Sequence, residues 1–186
     1  MKRFLPLLLI LLFLFGCGGA QKPIDKAMSL RSKILQSNGC SFNATITADY
    51  FDKVQVFRLQ CRCDTAGNIS FSVLEPASIS GITGKIEGQG GKLTFDDHVL
   101  LFSLMAGNDI SPVSAPWLML NGLRSGYIRG CADSDDGLSI HIDDTLGQNT
   151  LQIVLQTNSN GILSATEIFY QQRRILAIKI DDFTFL

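Results

Sequence analysis

The sequence predicts a single α+β domain: a curved antiparallel half-barrel sheet of about ten strands, with an N-terminal helix and a second helix inserted on the concave face. Three observations predict it. Apolar residues recur at helical spacing over 24–38, the spacing then changes to every second residue in a series of short segments, and residues 111–126 interrupt that alternation. The length of 186 residues fits one domain, since a domain has roughly 150 residues.

Each element follows from its local pattern. Residues 24–38 predict the N-terminal helix, which ends at the stop signal Asn38-Gly39. Residues 41–75 alternate apolar and polar side chains in three runs. This pattern is typical of an antiparallel meander that has one face buried and the other exposed to solvent. The glycine-interrupted segment 77–89 predicts a curved or bulged strand. Further strands are predicted over 92–97, 98–104, 126–132, 137–144, 150–157, 162–172 and 173–185.

The interrupting segment 111–126 predicts a short helix. Trp117, Leu118, Leu120 and Leu123 give it an apolar side, and Pro116 suits a first helical turn. That apolar side has to be buried, and the inner face of the surrounding sheet is the natural place.

The first residues predict a signal that targets the protein for export. Lys2 and Arg3 precede an apolar run over 4–15, which is shorter than the roughly 20 residues that a membrane-spanning helix needs. It has the length of a signal-peptide core. Residues 14–17 then resemble the bacterial lipobox, in which the peptide is cleaved before a cysteine whose thiol carries a diacylglycerol.

The lipobox resemblance divides the chain. Residues 1–16 would be the signal peptide, and 17–23 would be a lipidated Cys17, often further acylated with palmitate, followed by a flexible tether. Residues 24–186 would be the folded domain. The protein would then sit on the extracytoplasmic face of the cell membrane, held there by its lipid anchor. The alternative is an ordinary secretory signal with a chance cysteine.

Four cysteines remain besides Cys17. Outside the cytoplasm an even number favours disulfides. Cys61 and Cys63 share one face of a predicted strand, and a bond between them would be strained. Two connectivities stay open: Cys40–Cys61 with Cys63–Cys131, or Cys40–Cys63 with Cys61–Cys131. Buried free thiols are the alternative, and a metal or redox site is less favoured because C-x-C lacks the C-x-x-C spacing.

Catalytic motifs are absent from the sequence. Of the two histidines, His98 lies beside Asp96 and Asp97, and His141 shares a strand face with Asp143, so each could in principle form a His–Asp pair. No hydrolase elbow, zinc-protease or P-loop motif accompanies them. We therefore predict no enzyme activity, no metal and no cofactor. With 16 Lys+Arg against 17 Asp+Glu there is no basic surplus for nucleic acid either.

The order of elements resembles the LolA/LolB-like superfamily of lipoprotein-localisation factors, with the anchored Firmicutes-type LolA-like lipoproteins as the closer analogy. The likeness rests on helix 24–38, the meander 41–75, the EPASISGITGKIE segment, helix 111–125 and the final hairpin ending on Phe183 and Phe185. It implies a curved sheet that holds acyl chains in a hydrophobic cavity or serves as a platform for a protein partner.

Two functions follow as expectations. The first is a non-catalytic lipoprotein that binds a lipid or a lipid-modified protein in the concave sheet. The second is a scaffold or regulator that docks a cell-envelope protein partner over a filled core. A redox factor using Cys61 and Cys63 is a distant third. Residues expected to line a cavity, if they are not ordinary core, are Phe57, Leu59, Phe71, Phe95, Phe102, Trp117, Leu118, Leu120 and Leu123.

Overall fold

An eleven-stranded antiparallel sheet, curved and open, forms the body of the protein in the computed structural model. The structure describes residues 22–50, 53–88, 90–96, 98–106, 109–147 and 149–186, without the side chains of residues 105, 106 and 109. The predicted signal peptide and Cys17 lie outside the described residues. Two helices accompany the sheet, so the predicted fold class is confirmed.

The elements follow one another with short connections. Helix α1 spans Pro23–Gln36 and helix α2 spans Ala115–Ser125, preceded by a 3₁₀ turn at Pro112–Ser114. The strands are β1 Cys40–Asp49, β2 Val54–Cys63, β3 Ile69–Glu75, β4 Thr83–Glu87, β5 Gly90–Phe95, β6 His98–Ser103, β7 Met105–Ala106, β8 Asp109–Ile110, β9 Tyr127–Ser134, β10 Gly137–Leu146, β11 Asn149–Thr157, β12 Leu163–Tyr170 and β13 Arg173–Phe185. Strands β7 and β8 pair only with each other.

The sheet has its first and last strands at its centre. The spatial order is β6-β5-β4-β3-β2-β1-β13-β12-β11-β10-β9. We call β2–β6 the first wing and β9–β12 the second wing. The β1–β13 seam pairs Ala44 with Ile180 and Ile46 with Ile178, and all four side chains are buried. Beyond the strands, Leu186 N donates to Gly39 O at 3.0 Å, which extends the seam to the end of the chain.

Both helices pack on the inner face of the sheet. Helix α1 buries Ala27, Leu30 and Ile34, one stripe at helical spacing, and contacts the second wing. Helix α2 contacts β10 to β13 and is buried on nearly every side. Arg31 of α1 donates hydrogen bonds to the carbonyl oxygens of Leu123 and Gly126, each at 2.6 Å. These bonds satisfy the last turn of α2, where helix carbonyls lack partners of their own.

The glycine-interrupted segment differs from its prediction. Residues 77–89 do not form one curved strand, because Ala77–Ile79 is a 3₁₀ turn and β4 begins only at Thr83. Gly81, at φ 90°, donates its N–H to Val73 O at 3.0 Å and folds the turn back onto β3. Gly84 provides space for the Phe71 ring. A Cβ at this position would lie 2.3 Å from Cζ of Phe71.

Helix α1 also ends two residues earlier than predicted. Gly39, at φ 124°, turns the chain into β1, and a Cβ at this position would lie 2.2 Å from the carbonyl oxygen of Cys63. Among the described residues, no helix combines the length and the apolar character needed to cross a membrane.

Candidate functional site

The nine residues expected to line a cavity divide into two groups by exposure. Trp117, Leu118, Leu120 and Leu123 of α2 are buried, and so are Leu59 and Phe71 on the sheet beneath. They belong to one continuous core. Phe57 and Phe102 are half-buried, and Phe95 is 50% exposed. The accessible members therefore lie on the first wing rather than under helix α2.

Exposure on the inner face increases toward the edge of the first wing. Phe71, Gly84, Leu93 and Leu100 are direct partners across β3, β4, β5 and β6, so their side chains share one row. Phe71 is 3% exposed, Leu93 is half-buried, and Leu100 is 63% exposed. A group of neighbouring exposed apolar side chains, rather than a single exposed leucine, is what marks a binding surface.

Two glycines of the first wing are covered by aromatic rings. A Cβ at Gly84 would lie 2.3 Å from the Phe71 ring, and one at Gly91 would lie 2.3 Å from the Phe102 ring. Each ring thus packs directly on the backbone of the neighbouring strand, which gives the inner face a shallow apolar surface.

The outermost strand is apolar on both faces. Val99 and Leu101 alternate with Leu100 and Phe102, so they point to the outer face, where Leu101 is 78% exposed. We call Leu93, Phe95, Val99, Leu100, Leu101 and Phe102 the apolar wing. Sequence reasoning named Phe95 and Phe102 but missed the others, although the run Val99–Phe102 carries a signal: consecutive apolar residues in a strand at the edge of a sheet.

The cysteines are placed unequally. Cys40 and Cys63 are direct partners across β1 and β2, and the Cys63 thiol donates to the carbonyl oxygen of Asp64 at 3.4 Å. The interaction between the two thiols raises the pKa of Cys40 and lowers the pKa of Cys63, whose thiolate is also favoured by the Arg124 guanidinium and opposed by burial. Burial raises the pKa of Cys61.

Cys131 lies on β9, at the opposite edge of the sheet order from the first wing. Burial raises its pKa, opposed by the nearby charge of Arg31. The four cysteines among the described residues are free thiols in this structure.

The histidines form no catalytic arrangement among the described residues. His98 is exposed at the start of β6, and Asp97 beside it lies outside the described residues. His141 Nε2 lies 3.4 Å from Ser139 Oγ, and no hydrogen bond joins it to Asp143. The described residues hold no cluster of three or more His, Cys, Asp or Glu suited to a metal ion.

Comparison with known proteins relates the chain to others by fold. No protein-family model and no curated protein sequence matches it. A DUF1329 family protein from Desulfovibrio piger has a TM-score of 0.51 at 9% identity, over 88% of this chain and 91% of that one. This likeness shows a shared fold.

Two further solved structures resemble the chain at lower scores. A LolA superfamily protein from Nitrosomonas europaea has a TM-score of 0.46 at 14% identity, over 85% of this chain and 92% of that one. A putative outer membrane lipoprotein-sorting protein domain from Vibrio parahaemolyticus has a TM-score of 0.47 at 8% identity, over 87% and 91%.

Proposed function

We propose that the protein is a non-catalytic lipoprotein that binds an acyl chain, of a lipid or of a lipid-modified protein, on the inner face of the apolar wing. The observation that supports this most is the row from Phe71 to Leu100, which is apolar throughout and increasingly exposed. An acyl chain lying along Leu93, Phe95 and Leu100 would remove these side chains from water, which contributes about 25 cal/mol per Å² of apolar area.

The acyl chain would lie on β5 and β6, and not between helix α2 and the strands β10 to β13 that α2 contacts. The α2 side chains and the strands they contact form a closed core, in which an acyl chain would have to displace Leu120 or Leu123. Packing of that kind resists insertion because each lost contact weakens the core. The first wing needs no such displacement.

We also propose that Cys17 carries the lipid anchor and that the domain lies outside the cytoplasm. The support is the charged and apolar N-terminal run and the lipobox-like residues 14–17. One acyl chain binds a membrane only reversibly, whereas two or more hold a protein firmly. The intact mass of the purified protein tests this: loss of residues 1–16 and addition of a diacylglycerol are expected, and Cys17→Ala should abolish both.

A second candidate function is docking of a cell-envelope protein partner. Two observations favour it: the core under α2 is filled, and β6 is an edge strand whose outward N–H and C=O groups have no strand partner in the part of the chain that the structure describes. A partner strand could add to this edge.

A photoreactive fatty acid separates the two functions. The full chain is expressed in cells fed with the probe, crosslinked, and digested for peptide mass spectrometry. We expect crosslinks on the inner-face side chains of β5 and β6, namely Leu93, Phe95 and Leu100. Leu100→Asn should reduce labelling about tenfold, because burying one leucine contributes about 1.5–3 kcal/mol. The matched control is Leu35→Asn on α1, where Leu35 is 49% exposed. Equal labelling of both variants would exclude the inner-face site and leave the docking function.

A further inference from the structure

A row of cations crosses the outer face of the first wing. Arg62, Ser70, Lys85, Lys92 and Leu101 are successive direct partners across β2, β3, β4, β5 and β6. Three of the five side chains are positively charged. The row lies on the opposite face of the sheet from Phe71 and Leu100, so it is separate from the acyl-chain site proposed above.

The row is electrostatically unfavourable on its own. Lys85 and Lys92 lie directly opposite each other, and like charges in that arrangement destabilise a sheet. Glu87 offsets part of this repulsion: its Oε1 lies 2.5 Å from Nζ of Lys85, and the charge of Lys92 also helps to lower the pKa of the Glu87 carboxyl. Neither Arg62 nor Lys92 has a carboxylate oxygen within 4 Å among the residues that the structure describes. The repulsion would be relieved by an anion bound between them.

Two adjoining clefts surround the row. The larger, about 540 Å³, is lined by the three cations and by nine other residues, most of them polar: Ser41, Gln60, Cys61, Ser70, Phe71, Ser72, Thr83, Gly84 and Thr94. The smaller, about 290 Å³, shares Lys85 and Lys92 with it and is also lined by Glu87, Gly90, Gly91, Leu101 and Phe102. The cationic cleft with its hydroxyl groups therefore adjoins a smaller cleft in which Leu101 supplies apolar surface on the outer face.

We propose that these clefts bind an anionic amphiphile, with a phosphate-type headgroup among Arg62, Lys85 and Lys92 and an apolar chain over Leu101. Lysine and arginine donate charge-assisted hydrogen bonds to phosphate oxygens, and the hydroxyls can donate as well. Leu101 supplies apolar surface at the distance of one strand from Lys92. The overall net charge of -1 hides this local excess of cations.

Native mass spectrometry of the full chain, released from a neutral detergent, tests the proposal. Phosphatidylglycerol and phosphatidylcholine are added in turn, with inorganic phosphate as a third arm. We expect phosphatidylglycerol adducts in at least fivefold excess over phosphatidylcholine adducts. Lys92→Gln and Leu101→Asn should each reduce them at least fivefold.

Matched variants make the result specific. Lys179→Gln is the control for charge, because Lys179 is an exposed lysine of β13 paired with Asp181. Leu35→Asn, an exposed change on α1, should leave phosphatidylglycerol binding unchanged. Leu100→Asn should lower the adducts of both lipids alike and keep the excess of phosphatidylglycerol over phosphatidylcholine, which separates this site from the inner-face site. Equal adducts for the two lipids, or no effect of Lys92→Gln, would overturn the proposal. Full competition by millimolar inorganic phosphate together with no effect of Leu101→Asn would overturn the amphiphile and indicate a free phosphate ligand.

Discussion

Arg31 Nε lies 2.6 Å from the carbonyl oxygen of Leu123, so a side chain of helix α1 holds the last turn of helix α2. Nη2 of Arg31 likewise donates a hydrogen bond to the carbonyl oxygen of Gly126 at 2.6 Å. The two helices are thereby fixed to each other as well as to the sheet, although Arg31 and Leu123 are far apart in sequence.

Arg31→Met is expected to destabilise the protein. A hydrogen bond to a charged group contributes about 1.5–3 kcal/mol, and two carbonyls would lose their donor. Urea unfolding should show a loss of about 2–4 kcal/mol. Lys33→Met, an exposed change on the same helix, is the control. An equal loss in both variants would mean that Arg31 contributes no more than a surface residue.

Gly84→Ala is expected to destabilise the first wing. Its Cβ would lie 2.3 Å from the Phe71 ring, and a strained core substitution costs about 1–3 kcal/mol. Gly90→Ala is the matched control, since nothing lies within 4 Å of a Cβ there. Combining Gly84→Ala with Phe71→Leu should cost less than the sum of the two single changes, and additive costs would contradict the contact.

Cys40 and Cys63 are expected to be joined by a disulfide in protein purified from an oxidising compartment. Direct partners in an antiparallel pair have Cα atoms about 4.5–5.5 Å apart, a separation that a disulfide spans. The two thiols would lose two protons and two electrons to a disulfide-bearing oxidant, which becomes a dithiol. Alkylation under denaturing conditions, followed by peptide mapping, should modify Cys61 and Cys131 but not this pair.

The same pair predicts a stability effect. Replacing Cys40 and Cys63 together by serine should lower the unfolding free energy by about 2–4 kcal/mol. Cys131→Ser, on the distant β9 strand, should change it far less. Recovery of a peptide linking Cys40 to Cys61, or Cys63 to Cys131, would show that the pairing is wrong.

Lys92→Gln is expected to stabilise the protein while weakening the proposed anion binding. Removing one of two directly opposed lysines should raise the unfolding free energy by about 0.2–1 kcal/mol. The effect should shrink at high salt, because exposed charges are screened. Lys179→Gln removes a lysine that has a carboxylate partner and should give no gain. A loss of stability in Lys92→Gln would contradict the repulsion.

The parts of the fold with a local signal could be predicted from the sequence. Helix α2 was recognisable because Trp117, Leu120 and Leu123 break a two-residue alternation, and the meander because that alternation is regular. The β1–β13 seam has no such signal, since Ile46 and Ile178 are joined only by the tertiary structure. The same reason explains the site: Phe71 and Leu100 lie in equally apolar segments, and only their places in the sheet, on an inner strand and on the edge strand, make the first buried and the second exposed.

Because β1 pairs with β13, the sheet cannot be completed until both of these strands, which are far apart in sequence, are present. Because the last strand lies at the middle of the sheet, the first wing has no neighbour across the seam until Arg173–Phe185 has been synthesised and delivered. Contacts between such distant segments form slowly. An exported chain would therefore remain incompletely folded until translocation is nearly finished, and losing the C-terminal strand would separate the sheet into two halves rather than shorten one edge.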